Sequence, residues 1–251
     1  MKSLLKIIAV MVMAVSMVGC VQMHMDTEIK KDGSGEMDLT LSLSKVLTDA
    51  IAEMGTEGMD DDIGNLEGVL NIDKKELEKS IKKHDVKLKK FKRSVVDDRE
   101  TLAVTFQFKD LKGLSFAMGE VMGENEGGMA IIDIGNGQYA LRPYQYDWPM
   151  KAEEEVEEEE VSEEMDMDDM DPEKMQKQME LMGTLMGAMG EIDISMKITV
   201  PGDIIESNAP VVEGRTSTWS INASNMMSGG TDMEPNIIFS SKGLKLEAIQ
   251  E

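Results

Sequence analysis

Hydrophobic and polar positions alternate most cleanly at Glu36-Met37-Asp38-Leu39-Thr40-Leu41-Ser42-Leu43, which puts Met37, Leu39, Leu41 and Leu43 on one face of a strand. A weaker alternation over residues 23–29 comes before it, and Lys31-Asp32-Gly33-Ser34-Gly35 separates the two, so the pair predicts a β-hairpin. The period then lengthens. Ser44 can cap a helix over 45–54 with Val46, Leu47, Ala50, Ile51 and Met54 facing inward. Asp73 and Glu76 have capping-box spacing for a second helix over about 73–83, where Leu77 and Ile81 form an apolar pair. Val86 to Lys92 alternates again, predicting a strand with one apolar and one strongly basic face. Asp97-Asp98 supplies a turn, and Leu102, Val104, Phe106 and Phe108 line the strand expected to pair with it.

Leu111 to Met122 predicts a short helix with Leu111, Leu114, Ser115, Met118 and Met122 inward. Residues 129–134 and 138–142 flank Asn136-Gly137, a strong tight-turn pair, and read as another hairpin. Asp171 and Pro172 start an amphipathic helix over 173–189, with Met175, Met179, Met182, Met186 and Met189 three or four apart. Ile192, Ile194, Met196, Ile198 and Val200 give the clearest later strand, ended by Pro201-Gly202. Short strands are expected at 204–205, 211–212 and 216–221. The tail over 223–251 reads as a polar extension whose patch Ile237-Ile238-Phe239-Ser240 either packs back or forms a loose edge. This order predicts an α+β domain over 20–222, with an antiparallel sheet and helices packed mainly on one face.

Composition adds an interruption. Nearly every residue from Glu153 to Glu160 is acidic, and Glu163-Glu164, Asp166, Asp168-Asp169 and Asp171 extend the run. Such a block repels itself and is expected as a disordered loop inserted over about 150–171. The chain carries 49 acidic against 26 basic residues, a net charge of −23, which excludes nucleic acid as an expected partner. The acidic tract is one candidate for multivalent calcium or cationic-protein binding, and this makes a cation-responsive adhesin or assembly factor the alternative reading. Asp60-Asp61-Asp62 lacks calcium-loop spacing and reads as a solvated turn.

The N-terminus adds an address. Lys2 and Lys6 precede an apolar run, Leu4 to Val15, that is shorter than the roughly 20 residues of a spanning helix. A cationic start and a short apolar core mark an export signal over 1–19. The run closes on Met17-Val18-Gly19-Cys20, which resembles a bacterial lipobox. That resemblance implies cleavage before Cys20, diacylglycerol on its thiol and acylation of the new amino group, a palmitate-type anchor of several chains. Val21 follows, so the aspartate that resembles an inner-membrane retention signal is absent. The outer membrane is the expected location if the host has two membranes. Cys20 is the sole cysteine, so a lipidated chain has no intramolecular disulfide.

Candidate chemistry is sparse. There are two histidines, no zinc-ligand cluster and no serine in a G-x-S-x-G setting, so no enzyme is expected and a small hydrolase is the least favoured reading. No cofactor is expected, and metal binding is left open. Met23-His24-Met25 is a compact Met/His cluster, but alternation sends His24 to the face opposite the two methionines. His84 reads as a helix-end residue. Tyr139, Tyr144, Tyr146 and Trp148 concentrate the aromatics of a chain that is only 4% aromatic, and could line a groove for an amphiphile. Trp219 reads as a core or rim residue. Lys87 and Lys89 lie in the one basic segment, Lys82 to Arg93, which could meet lipid phosphates or serve as a solvated strand face that discourages aggregation. Tyr144, Tyr146, Trp148, Trp219, Lys87 and Lys89 are thus the candidate lipid-contact residues.

Two segments together resemble the bacterial LppM-like lipoprotein domain. One is Cys20 followed by the Asp32-Gly33-Ser34-Gly35 hairpin. The other is Val200-Pro201-Gly202-Asp203-Ile204-Ile205-Glu206-Ser207-Asn208 with Glu213-Gly214-Arg215-Thr216 and Trp219. They bracket roughly 21–222, while the acidic insertion and the Met-rich helix depart from a compact pattern. The resemblance implies an envelope lipoprotein domain able to contact lipid, glycolipid or an envelope protein, and it carries no catalytic residues across.

Overall fold

The first hairpin organises everything that follows. In the computed structural model, which describes residues 20–54, 69–122, 128–146, 192–222 and 233–250 with Gly183 and Asn225, β1 (Val21–Ile29) pairs antiparallel with β2 (Gly35–Ser44). Val21 stands opposite Leu43, Met23 opposite Leu41 and Met25 opposite Leu39, so the alternation becomes one apolar face. Leu41 and Leu43 on it are fully buried. Gly35 permits the next layer: a Cβ there would stand 2.1 Å from the Glu28 carbonyl oxygen and 2.3 Å from Cζ of Phe108. Glycine therefore lets the Phe108 ring lie against the strand.

β3 (Val86–Val96) and β4 (Arg99–Phe108) extend the sheet beyond β2, and β7 (Ile192–Thr199), β10 (Thr216–Asn222) and β9 (Val211–Glu213) extend it beyond β1. The order of this seven-stranded sheet is β3-β4-β2-β1-β7-β10-β9. It is mostly antiparallel, as predicted, but β1 and β7 run parallel. Asp97 and Asp98 join β3 to β4 with φ of 51° and 56°, the positive pair that a tight hairpin turn of this hand requires.

The alternation of β3 breaks where sequence periodicity continued it. The register shifts between Leu88 and Lys90, so Lys89 is an extra residue with no partner on β4, a β-bulge. Leu88 then faces Phe106 and Phe91 faces Val104, both toward the core. Unbroken alternation would have put Phe91 on the face of Lys87 and Lys89.

A second sheet, ordered β12-β5-β6-β11-β8, is built from β5 (Gly128–Gly135), β6 (Gln138–Tyr144), β8 (Ile204–Ser207), β11 (Ile237–Ser240) and β12 (Ile249–Gln250). Asn136 and Gly137, with φ of 53° and 73°, make the expected turn between β5 and β6. β11 corrects the domain boundary drawn at 222. It pairs with β6 on one side and β8 on the other, and Ile237 and Phe239 are fully buried. The patch in the tail therefore belongs to the core, and the C-terminal segment is part of the domain rather than a polar extension.

Helices α1 (Lys45–Met54), α2 (Lys74–Ile81) and α3 (Leu111–Met122) pack on one face. Asp73 caps α2 by accepting from the Lys75 and Glu76 amides at 2.8 and 3.0 Å, and these bonds hold its carboxyl below the usual range. Leu77, Ile81, Leu111, Leu114, Ala117 and Val121 join one hydrophobic cluster with residues of both sheets, including Leu41, Phe106, Trp219 and Phe239. Trp148, Asp60-Asp61-Asp62, the acidic loop and, apart from Gly183, the helix expected over 173–189 lie outside the described residues. Among the described residues no helix is long and apolar enough to cross a membrane.

Candidate ligand-binding cleft

Three stretches far apart in sequence meet at the turn of the first hairpin. Asp32 shapes that turn by accepting from the Ser34 amide at 3.2 Å and the Ser34 hydroxyl at 2.7 Å, and these bonds lower its pKa. Gly33 follows with φ of 86°, a conformation natural to glycine. The C-terminal segment crosses this turn, the Lys245 amide donating to the Lys31 carbonyl at 3.3 Å, before Ile249 pairs parallel with Ile132 of β5. The β4–α3 junction closes the third side. There Asp110 caps α3 by accepting from the Gly113 amide at 2.7 Å.

Between them lies a half-open cleft of about 330 Å³. Leu111, Ala130, Ile131, Leu246 and Ile249 provide apolar lining. Lys109, Lys112 and Lys245 are matched by Asp32, Asp110 and Glu247, so the charged lining is balanced in a chain of net charge −23. Lys109 also pairs with Asp85 at 3.5 Å, a contact between exposed groups that contributes little on its own.

Tyr146 is the aromatic wall. Its hydroxyl donates to the Met129 carbonyl at 2.9 Å, and Tyr144 meets its ring edge-on at 4.8 Å between centroids. Burial pushes the Tyr146 phenol far above its ordinary pKa, with Asp110 and Tyr144 adding to the shift, so it stays a neutral donor. The Lys112 ammonium lies 5.8 Å from the ring centroid, at the outer reach of a cation–π contact. Across α3, His84 stacks on Phe116 with centroids 3.6 Å apart, in keeping with its reading as a helix-end residue.

The candidate residues separate. Tyr146 lines the cleft and Tyr144 supports it. Trp219 is instead fully buried in the core on β10, its indole nitrogen without a hydrogen-bond partner. Lys87 and Lys89 are exposed on the edge strand β3 and do not line the cleft. Met23 is buried while His24 is exposed, its Nδ1 2.7 Å from the Ser195 hydroxyl, so the Met/His cluster is split across the sheet as alternation predicted. Among the described residues no group of three or more His, Cys, Asp or Glu could hold a metal ion. Sequence reading singled out neither the charged lining nor Leu246 and Ile249. For Leu246 the signal was the alternation of Leu244, Leu246 and Ala248 with Lys245 and Glu247, while Ile249 falls out of that phase.

No protein-family model matches the chain, and no curated protein matches it. Among solved structures it is similar to the folded domain of LppM from Mycobacterium tuberculosis, determined by NMR. The identity is 7% and the TM-score 0.41, over 89% of this chain and 91% of that one.

Proposed function

We propose that the chain is a bacterial envelope lipoprotein, held to a membrane by lipid on Cys20, whose cleft binds an amphiphile such as a lipid or glycolipid without catalysing a reaction. The observation that carries this reading is the cleft's make-up. Leu111, Ile131, Leu246 and Ile249 suit an apolar portion, while three lysines and three carboxylates suit a polar head of mixed or zero charge. Its volume suits the head and first methylenes of a lipid, not two whole acyl chains. Val21 after Cys20 favours the outer membrane in a host with two.

The test is native mass spectrometry of the full chain, extracted from its host's membranes in detergent. A reproducible bound lipid mass that is lost on Leu246→Asp supports the reading. Apo protein alone, or a lipid mass indifferent to that substitution, overturns the cleft as the binding site.

A further inference from the structure

The opposite end of the first hairpin carries a feature that the binding reading does not use. Cys20 is not on a tether. Val21 beside it is already the first residue of β1, and the Ser44 amide donates to the Cys20 carbonyl at 2.8 Å. Register continues this row across the sheet, from Ser44 to Arg99 and from Arg99 to Val96. Lipid on Cys20 therefore brings the whole row to the membrane surface, with no linker to hold it away.

That rim exposes apolar side chains among its charges. Val95 is 69% exposed and Val96 55%, and Val46, expected to face inward, is 62% exposed on α1. All three lie around the β3–β4 turn, which the Lys45 amide joins to α1 by donating to the Asp98 carbonyl at 2.7 Å. The other large exposed apolar residues among those described, Ile205, Val211 and Val212, sit on β8 and β9, away from this row. Arg99 is 9% exposed, and its two terminal nitrogens are buried without a hydrogen-bond partner. Being buried, these nitrogens do not themselves reach a membrane. The exposed charges of the rim are Lys45 with Asp98 and Glu100 near it, and Asp97. This mixed, slightly acidic set opposes a strongly anionic surface and suits a zwitterionic one.

We propose that this rim, with Val46, Val95 and Val96 as its apolar contacts, docks on a zwitterionic phospholipid surface, so that β1 points away from the membrane and holds the cleft outward. The proposal rests on the reading of Cys20 as lipidated. Three short apolar side chains add little affinity to an acyl anchor; what they fix is orientation.

The full chain, matured in its host and reconstituted into phosphatidylcholine vesicles, tests it through Val96→Trp and, as control, Ile205→Trp. Replacing the lipid with acyl-brominated phosphatidylcholine should remove most of the emission that Val96→Trp adds to the two native tryptophans, and leave that of Ile205→Trp unchanged. The intact mass is read on the same samples. Acylated protein with equal quenching at both positions overturns the docked rim and leaves the anchor standing. Mature protein with an unmodified Cys20 overturns the anchor, and the docking with it. Thermal melting of each variant in detergent, unchanged from the parent, shows that the probe reports on lipid and not on unfolding.

Discussion

At one end of the β1–β2 hairpin, Cys20 runs straight into a paired strand and is fixed by neighbours close in register: Ser44, Arg99 and the Asp97-Asp98 turn. At the other end, Asp32 and Gly33 meet Lys109 to Lys112, Tyr146 and Lys245 to Ile249, segments joined only by folding. Nine residues of β1, about 30 Å of extended chain, lie between. The first end exposes apolar side chains around a buried cation, while the second encloses apolar side chains within balanced charge. The paired strand between them keeps the two surfaces apart.

Breaking the strut has the largest expected effect. Leu41 is fully buried midway along β2, and Leu41→Ala removes its contacts and leaves a cavity, so it should cost about 2–5 kcal/mol of unfolding free energy. Urea denaturation measures this. A loss well under that range would mean the two ends are stabilised separately. Gly35→Ala comes next. Its Cβ would meet the Glu28 carbonyl and the Phe108 ring, and such overpacking costs about 1–3 kcal/mol. Because Gly35 lies at the turn end, amide hydrogen exchange should rise around Phe108 and Lys109 more than around Ser44 and Arg99. Uniform acceleration would argue against two separable ends.

Tyr146→Phe is a milder probe confined to the cleft. It deletes the bond to the Met129 carbonyl while keeping the ring against Tyr144, for a loss of about 0.5–1.5 kcal/mol. Retained lipid in native mass spectra should fall if the phenol orients the cleft wall. No change in either quantity would show that the wall is held by packing alone.

The Cys20 end of the hairpin was the more legible because its pairing is local. Alternation from Met37 to Leu43 and the Asp97-Asp98 turn read directly from neighbouring residues. The cleft was half legible. Aromatic density pointed to Tyr144 and Tyr146, but Trp219, with a similar claim, is a core residue. Nothing in the local pattern brings Leu246 to Gly33, because that contact depends on β12 pairing with β5. The parallel β1–β7 pair and the buried place of β11 are likewise decisions of tertiary pairing, and short apolar runs such as Ile237 to Ser240 do not announce them. The Lys89 bulge is subtler still. It rescues Phe91 for the core at the cost of one unpaired residue, a choice that periodicity alone reads the wrong way.

The smallest effect separates the ends by pH. His84 stacks on Phe116, and its partial burial lowers its pKa below the ordinary 6.5, Glu120 opposing and Lys112 and Lys83 reinforcing the shift. Because the folded value is the lower one, the unfolded chain takes up the proton first as pH falls. Stability is therefore fully present above 6.5 and declines as pH drops from there through the folded pKa, after which it levels off. His84→Phe keeps a ring over Phe116 and removes the titration, so the stability difference between it and the parent should change across that window and be flat above it. A difference that does not vary with pH would mean His84 is as free to ionise in the fold as outside it. Lys112 links this residue to the cleft, since its ammonium both depresses His84 and approaches the Tyr146 ring. Protonating His84 adds a further cation beside Lys112 and Lys83, so acid should loosen the cleft end first. Val96→Trp, a strand's length away, should report no change in membrane contact over the same range.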